Sequence, residues 1–451
     1  MKLESNARIF SSEKLDCMEI EPALPSVNIS FTELVQYLCA LLDSDEQRSA
    51  ESATNFIICY RRYASSKQLF NCIRKNLDLD LKPNGNLSLL RLWLYRYFNR
   101  DFHRKTLLKA LLFLIRRLSI KGTSSSNLNR LKLVVLQQHY RAKTTATLTG
   151  PHPNLNALSG SKKGLFVFGS HEIAEQLTLL EFKMFQQLMP EDFLQKDSVK
   201  MKIMINRFNR LSYWVASHIL AQKTYRNQAF VISRFIAIAH FCLELNNFNS
   251  LFAIVGAFNF HFVSRLYKLW SLDAKSQLLL TNLRRICSPS NGHKAYCETL
   301  KKQKALLKTG VPVLPYIGIF SRELALIDEG NKDLAPNGQI NIDKLNLISK
   351  ILTEIRQYQK NEYHVKSGDQ VLLYYLLQLH RWDEKRLEAA SEAIRPRKQM
   401  EEEEQSSSES DSVSRIGSRI VEQQAGSDLI DLSSGDSEVC PNQDETSLLE
   451  M

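Results

Sequence analysis

Asn247-Phe248-Asn249-Ser250-Leu251-Phe252-Ala253-Ile254-Val255, residues 247–255, is the stretch on which the reading of the fold turns. Asn249 stands where a helix cap would sit, and the run after it predicts a helix over Ser250–Phe258. Helical periodicity continues on both sides, over Gln228–Leu245 before it and Val263–Trp270 after it. The most apolar run, Ala229–Leu245, is interrupted by Arg234, His240 and Glu244. It falls short of the ~20 mostly apolar residues that a bilayer span needs, so it reads as a buried core helix.

Further out the pattern stays helical. Gln176–Leu188 puts Leu177, Leu180, Met184 and Leu188 on one stripe, with Pro190 as the stop. Met201–Leu220, Lys275–Ile286, Ala295–Leu307, Arg322–Glu329, Ile342–Gln359 and Gln370–Leu379 follow. Gly330 stands where a left-handed C-terminal cap is expected, and Asn341 where an N-cap is expected. Toward the N-terminus, Ser30 or Thr32 caps a helix with Leu34, Val35, Leu38, Leu41 and Leu42 on its apolar face. Ala53–Tyr63, a helix from Ser65-Ser66 through Leu69, Phe70 and Ile73, Leu87–Phe98 and Thr106–Leu118 complete this part, with a turn at Lys82-Pro83-Asn84-Gly85. The expected fold class is all-α. Its parts are a leader over 1–27, a small helical domain over 28–118, and a Ser/Thr/Gly/Pro-rich linker over 119–164 with one short helix, Leu131–Tyr140. A larger helical domain over 165–395 and a tail over 396–451 follow.

The 451 residues carry a net charge of +11, and hydrophobic residues make up 44%. That composition is ordinary for a folded soluble chain. The charge is uneven. Residues 401–451 hold 14 Asp and Glu against Arg415 and Arg419, a net of −12, which leaves +23 on residues 1–400. The tail also holds 12 Ser in 401–451 and is expected to be disordered. Its Ser406-Ser407-Ser408-Glu409-Ser410-Asp411 suits acidophilic kinases. Such a tail is expected to fold back on the basic body.

Several chemistries are excluded. There is no G-x-x-x-x-G-K-[ST] and no G-x-G-x-x-G, and His171-Glu172 lacks the second His of a zinc protease. The ten His do not cluster, and the eight Cys form no C-x-x-C pair, which reads as reduced, intracellular thiols. No apolar run opens the chain, so no secretory signal is expected. The closing Leu448-Leu449-Glu450-Met451 is no prenylation motif. Aromatic and basic residues interleave only in 91–100, at helical spacing, so nucleic acid is not the expected partner.

His171-Glu172-Ile173-Ala174-Glu175-Gln176-Leu177-Thr178-Leu179-Leu180-Glu181 resembles the opening of the catalytic domain of Ras-type guanine-nucleotide exchange factors. Phe208-Asn209-Arg210-Leu211-Ser212-Tyr213-Trp214-Val215 resembles its next block. Residues 247–255 with Val263-Ser264-Arg265-Leu266 are the most specific match. Pro315-Tyr316-Ile317-Gly318-Ile319 and Ile327-Asp328-Glu329-Gly330-Asn331 complete the order, so the resemblance covers about 165–395. The preceding domain is similar to the Ras exchanger motif through residues 56–63, Ser65-Ser66, Leu69, Arg91-Leu92-Trp93-Leu94 and Phe98.

The resemblance implies binding of a Ras-family small GTPase, Ras or Rap ahead of Ral, and promotion of GDP release and GTP loading. No bond chemistry, cofactor or metal is implied, because the GTPase supplies the phosphate site. A protruding helical hairpin at about Gly318–Gln359 is implied to open the switch regions. The implied catalytic residues are Glu329, Ala325, Asn259 and Arg265, with Glu329 disfavouring phosphate and Mg²⁺ by its charge. The implied GTPase-binding residues are Ile205, Phe252, Tyr316, Asn206, Ser264 and Phe320. Of these, Ile205, Phe252 and Tyr316 form a pocket for a switch II aromatic. Phe252, His261-Phe262, Val313 and Asp328 depart from the usual residues. Phe252, His261-Phe262 and Asp328 keep open a second reading, a non-catalytic GTPase-binding adaptor on the same fold. The basic body fits the acidic surface of a GTPase or an anionic membrane surface, with Arg116-Arg117, Lys121, Arg141 and Lys143 as membrane-facing candidates, or else a diffuse solvated helical surface. The expected location is cytoplasmic, with recruitment to the inner face of the plasma membrane.

Overall fold

A computed structural model describes residues 27–102, 105–121, 126–144, 165–195, 197–267, 270–366 and 368–396. The expected leader before Val27, the tail from 397 and residues 145–164 of the expected linker lie outside the described residues. Helices form over Phe31–Ser44 (α1), Glu46–Cys59 (α2), Ser66–Asp78 (α3), Pro83–Tyr97 (α4), Lys105–Ile120 (α5) and Ser126–Thr144 (α6). They continue over Ser170–Gln187 (α7), Pro190–Leu194 (α8), Val199–Leu220 (α9), Tyr225–Glu244 (α10), Phe248–Asn259 (α11) and His261–Ser264 (α12). Ala274–Cys287 (α13), Ser290–Leu306 (α14), Ile317–Gly330 (α15), Ile342–Tyr358 (α16), Gln370–Gln378 (α17) and Glu384–Ile394 (α18) complete them. Among the described residues there are isolated β-bridges but no strand, so the all-α expectation holds.

The chain divides into two compact units, and both are discontinuous. One joins Met1–Pro153 to Phe320–Arg356; the other joins Asn154–Ile319 to Gln357–Met451. The division therefore runs through the expected larger domain of 165–395. The expected linker includes the whole of α6, whose Leu128 and Leu131 are buried.

In the first unit, α1 begins at a capping box: Ser30 Oγ accepts from Glu33 N, and the Glu33 carboxylate accepts from Ser30 N. The apolar stripe Leu34, Val35, Leu38 and Leu42 is buried, each side chain contributing about 1.5–3 kcal/mol relative to exposure. Opposite it, α4 buries Leu87, Leu90, Trp93 and Leu94. The two helices approach so closely at Gly85 that an added Cβ would lie 1.8 Å from the Cys39 carbonyl oxygen. Beneath them Asp101 accepts from Trp93 Nε1 at 2.6 Å and the Tyr60 hydroxyl at 2.7 Å, and pairs with Arg61.

In the second unit, α11 is central and buried nearly all round, as expected of a helix that is apolar on every face. It packs against α9 and α10, and α10 against α7. The apolar run 229–245 is this α10, with Val231, Ile232, Phe235, Ile236, Ala239 and Cys242 buried. No helix among the described residues is long and apolar enough to cross a membrane.

Candidate functional site

The candidate residues fall into two groups, one in each unit. Ile205, Asn206, Phe252, Asn259, Ser264, Arg265 and Tyr316 lie in the second unit; Phe320, Ala325 and Glu329 lie in the first.

In the second unit the N-terminus of α11 sets the site. Asn247, not Asn249, is the cap: its Oδ1 accepts from Ser250 N at 2.9 Å. Asn249 is instead buried in the first turn, two residues after the cap, where its amide donates to Glu181 Oε2 at 3.1 Å. The Ser250 hydroxyl donates to the same oxygen at 2.8 Å, and Arg207 Nε lies 3.9 Å from Glu181 Oε1. Burial raises the Glu181 carboxyl above its ordinary value, against the pull of Arg207 and the two donors. Asn249 Oδ1 then accepts from Ile317 N at 3.5 Å, while Phe248 N donates to Leu314 O at 2.9 Å. The Tyr296 hydroxyl accepts from Tyr316 N at 2.9 Å. The Pro315-Tyr316 segment is therefore held by backbone atoms on both sides, and a buried polar network of this kind rigidifies what it holds.

Tyr316 lies flat on Phe252, with ring centroids 4.2 Å apart and planes 4° from parallel. Phe208 and Tyr296 surround the pair at 5.6 Å from Tyr316 and 5.1 Å from Phe252. Such pairs are worth about 0.5–1.5 kcal/mol beyond their buried area. Phe252 is buried while Tyr316 remains half-exposed, so the cluster presents an aromatic face with a hydroxyl. Ile205 is half-buried and Asn206 exposed on α9, one turn before Phe208. Asn259 and Ser264 are exposed beyond the end of the buried part of α11. Arg265 is turned toward α18: it donates to Arg395 O at 2.8 Å and to Ser391 Oγ at 3.3 Å. Spacing alone did not single out Phe208, Tyr296 or Glu181. Phe208 and Glu181 do sit inside the blocks that carry the resemblance.

In the first unit lie most of α15 and α16, joined by the loop 331–341. α15 begins at Ile317, earlier than the expected Arg322. Gly330 does not adopt the left-handed cap. The helix runs through it and ends with Asn331 N donating to Ile327 O at 3.1 Å. The left-handed glycine is Gly338 in the loop, at φ +78°, inside the turn closed by Ala335 N to Gln339 O. Asn341 does cap α16, its Oδ1 accepting from Lys344 N at 3.1 Å.

The hairpin is fastened to the helices that precede it in this unit. Arg62 grips Asp328 with both guanidinium nitrogens at 2.7 Å and reaches Asp333 at 2.9 Å. Lys344, its side chain 3% exposed, reaches Asp328 at 2.9 Å, Asp333 at 2.8 Å and Asn331 O at 2.7 Å. Two cations thus meet two carboxylates. The Arg62 guanidinium, ahead of Lys344, holds Asp328 below its ordinary 3.8, at about 2. Farther along, Asn55 donates to Thr353 Oγ1 at 3.1 Å and pairs with Arg356. Ile340 N donates to Ile29 O at 2.9 Å and Ile342 N to Asn28 Oδ1 at 3.2 Å. Phe320 is buried, whereas Ala325, Leu326 and Glu329 share an exposed stretch of α15. Glu329 has no intramolecular ion pair or hydrogen bond among the described residues. Its neighbour Asp328 is neutralised and Glu329 is not, so the exposed end of α15 presents one unpaired carboxylate.

The RasGEF domain family matches residues 172–346, a span that contains every candidate residue of both groups. Ras guanine nucleotide exchange factor Q of Dictyostelium discoideum is 35% identical over 210 residues, which is 44% of this chain and 16% of that protein. Ras guanine nucleotide exchange factor J of the same organism is 27% identical over 368 residues, 74% of this chain and 44% of that protein. Ras-specific guanine nucleotide-releasing factor 1 of Homo sapiens is 27% identical over 363 residues, 75% of this chain and 27% of that protein. The chain spans less than half the length of these relatives. Residues 172–346 thus match the RasGEF domain family, and the relatives that the chain resembles are named as Ras exchange factors.

Proposed function

We propose that this protein is a guanine-nucleotide exchange factor for a Ras-family small GTPase. The reading rests on one observation: within the span that matches the RasGEF family, an exposed carboxylate, Glu329, stands on a helix whose neighbouring acid is clamped. A carboxylate brought to the nucleotide site of a GTPase opposes bound phosphate and Mg²⁺ by charge. It would act by binding the nucleotide-free GTPase more tightly than the loaded one, which accelerates release without any covalent step. The half-exposed Tyr316, stacked on Phe252, offers an aromatic anchor for a switch II side chain, with Ile205 and Asn206 beside it. Asn259, Ser264 and Arg265 border the same unit, and Ala325 and Phe320 belong to the hairpin. The helices before residue 121 act as a Ras exchanger motif whose task is to hold the hairpin. The favoured substrates are Ras or Rap ahead of Ral, met at an anionic membrane.

Release of fluorescent GDP from Ras, Rap and Ral tests this. Acceleration by catalytic amounts of the protein is expected with Ras or Rap, and Tyr316→Ala is expected to slow it at least tenfold. Release unchanged at stoichiometric protein defeats the reading. The second reading, an adaptor that binds without ejecting nucleotide, draws on Phe252, whose ring already lies against Tyr316 and fills space a partner aromatic would use. Stable capture of a GTPase with its nucleotide retained would favour it.

A further inference from the structure

We propose that the outer face of α5 and α6 is a docking surface for an anionic lipid membrane. Residues 105–144 hold nine Lys and Arg and no Asp or Glu, a long one-signed stretch of the helical body. The inner side of α5 is spent on the core: Leu111, Leu114, Ile115 and Leu118 are buried. Its outer side should then be polar throughout. Instead Leu112, Phe113 and Ile120 stand out in solvent, Phe113 at 68% and Ile120 at 76% exposure. Lys109 and Arg116 are exposed around them, at the spacing of three, four and seven that keeps them on one face, and Lys121 is exposed just past the helix end. α6 repeats the arrangement, with Leu133 and Leu136 exposed beside Arg130. Of the cations on α5, Arg117 is turned away, paired with Asp78.

Large apolar side chains interleaved with cations, with no acid among them, fit one environment. The apolar groups enter the acyl boundary, while the long Lys and Arg stems carry their charges to the headgroup phosphates. An anionic leaflet adds attraction for each cation near its surface and rejects acids, which accounts for the missing carboxylates. The inference deepens the membrane part of the proposed function. Its observations lie outside residues 172–346, so it fails or stands apart from the exchange reading.

The test is sedimentation of the full chain with vesicles and no GTPase present. Vesicles of phosphatidylcholine and phosphatidylserine in roughly a 2:1 ratio should carry the protein down, and vesicles of phosphatidylcholine alone should not. Binding should fall as salt rises. The double variant F113S/I120S should lose on the order of tenfold or more in vesicle affinity, since two exposed apolar anchors are gone. K109E/R116E should lose on the order of tenfold or more by reversing charge. These side chains are exposed, so both variants should keep the wild-type unfolding temperature and the wild-type exchange rate on soluble GTPase. The proposal is overturned if anionic vesicles leave the protein in solution, if both variants sediment like wild type, or if lipid charge makes no difference. It is also overturned if the face instead joins two copies of the chain, seen as self-association lost in F113S/I120S without vesicle binding.

Discussion

Removing Arg62 should loosen the hairpin and show it in two ways. Arg62→Met keeps the aliphatic stem but deletes three charge-assisted contacts, two to Asp328 and one to Asp333. Asp328 then relies on Lys344 alone. The shift of its carboxyl from 3.8 to about 2, caused first by Arg62 and shared by Lys344, amounts at face value to about 2.4 kcal/mol for the two cations together. Its side chain is 42% exposed, and solvent screening brings that down to about 1 kcal/mol. With the contact to Asp333, whose side chain is 36% exposed, the loss is about 1–2 kcal/mol. The sign with pH follows from the lowered carboxyl. Its contribution is fully present above about 4 and is lost as pH falls toward about 2. Urea unfolding should therefore show wild type and Arg62→Met well separated at neutral pH and converging at about pH 2. A loss of 1–2 kcal/mol in holding the hairpin corresponds to roughly five- to thirtyfold in its competent population, and exchange should slow within that range. Equal unfolding midpoints at neutral pH together with an unchanged exchange rate would refute the clamp.

Glu329→Ala should slow exchange at least tenfold while leaving the unfolding temperature within a degree or so, because the carboxylate is exposed and supports nothing within the chain; calorimetry alongside GDP release checks both halves. Arg207→Met leaves Glu181 buried without its cation and should cost about 3–5 kcal/mol in urea unfolding. Adding Glu181→Gln should restore part of that loss, and a double variant no better than the single would count against the pairing. Gly85→Val should destabilise the first unit by about 3 kcal/mol or more, because its Cβ meets the backbone of α1 rather than a movable side chain. Circular dichroism melts read this directly.

Local signals in the chain were good guides where the physics is local. The stripe Leu34, Val35, Leu38 and Leu42 faces inward because three- and four-residue spacing puts those side chains on one face. Ser30, Ser65 and Asn341 cap helices because their oxygens reach backbone N–H groups three residues on. Where two such residues compete, spacing could not choose. Asn247 and Asn249 both suit a cap, and the choice was made by Glu181, a buried acceptor 68 residues away that claims Asn249. The glycine after Glu329 suggested a stop, yet the hairpin loop takes its left-handed turn at Gly338 instead.

By itself, then, the sequence determined the all-α class, the position of most of the longer helices though not of Glu384–Ile394 or the short Pro190–Leu194, the absence of nucleotide-binding loops and the motif order that matches the RasGEF family. The expected helix Val263–Trp270 is α-helical only as far as Ser264. Only the tertiary structure decided how these pieces are shared out. Residues 320–356 fold with the N-terminal helices rather than with the segments on either side of them, because the partners that secure them are distant in sequence. Arg62 and Asp328 lie 266 positions apart, and Asn55 and Thr353 lie 298 apart. A run of residues records helical faces through spacing, but an ion pair of that separation leaves no periodic trace. The clamp on Asp328, and with it the isolation of Glu329 as the one unpaired acid at the exposed end of α15, follows only once the chain has folded.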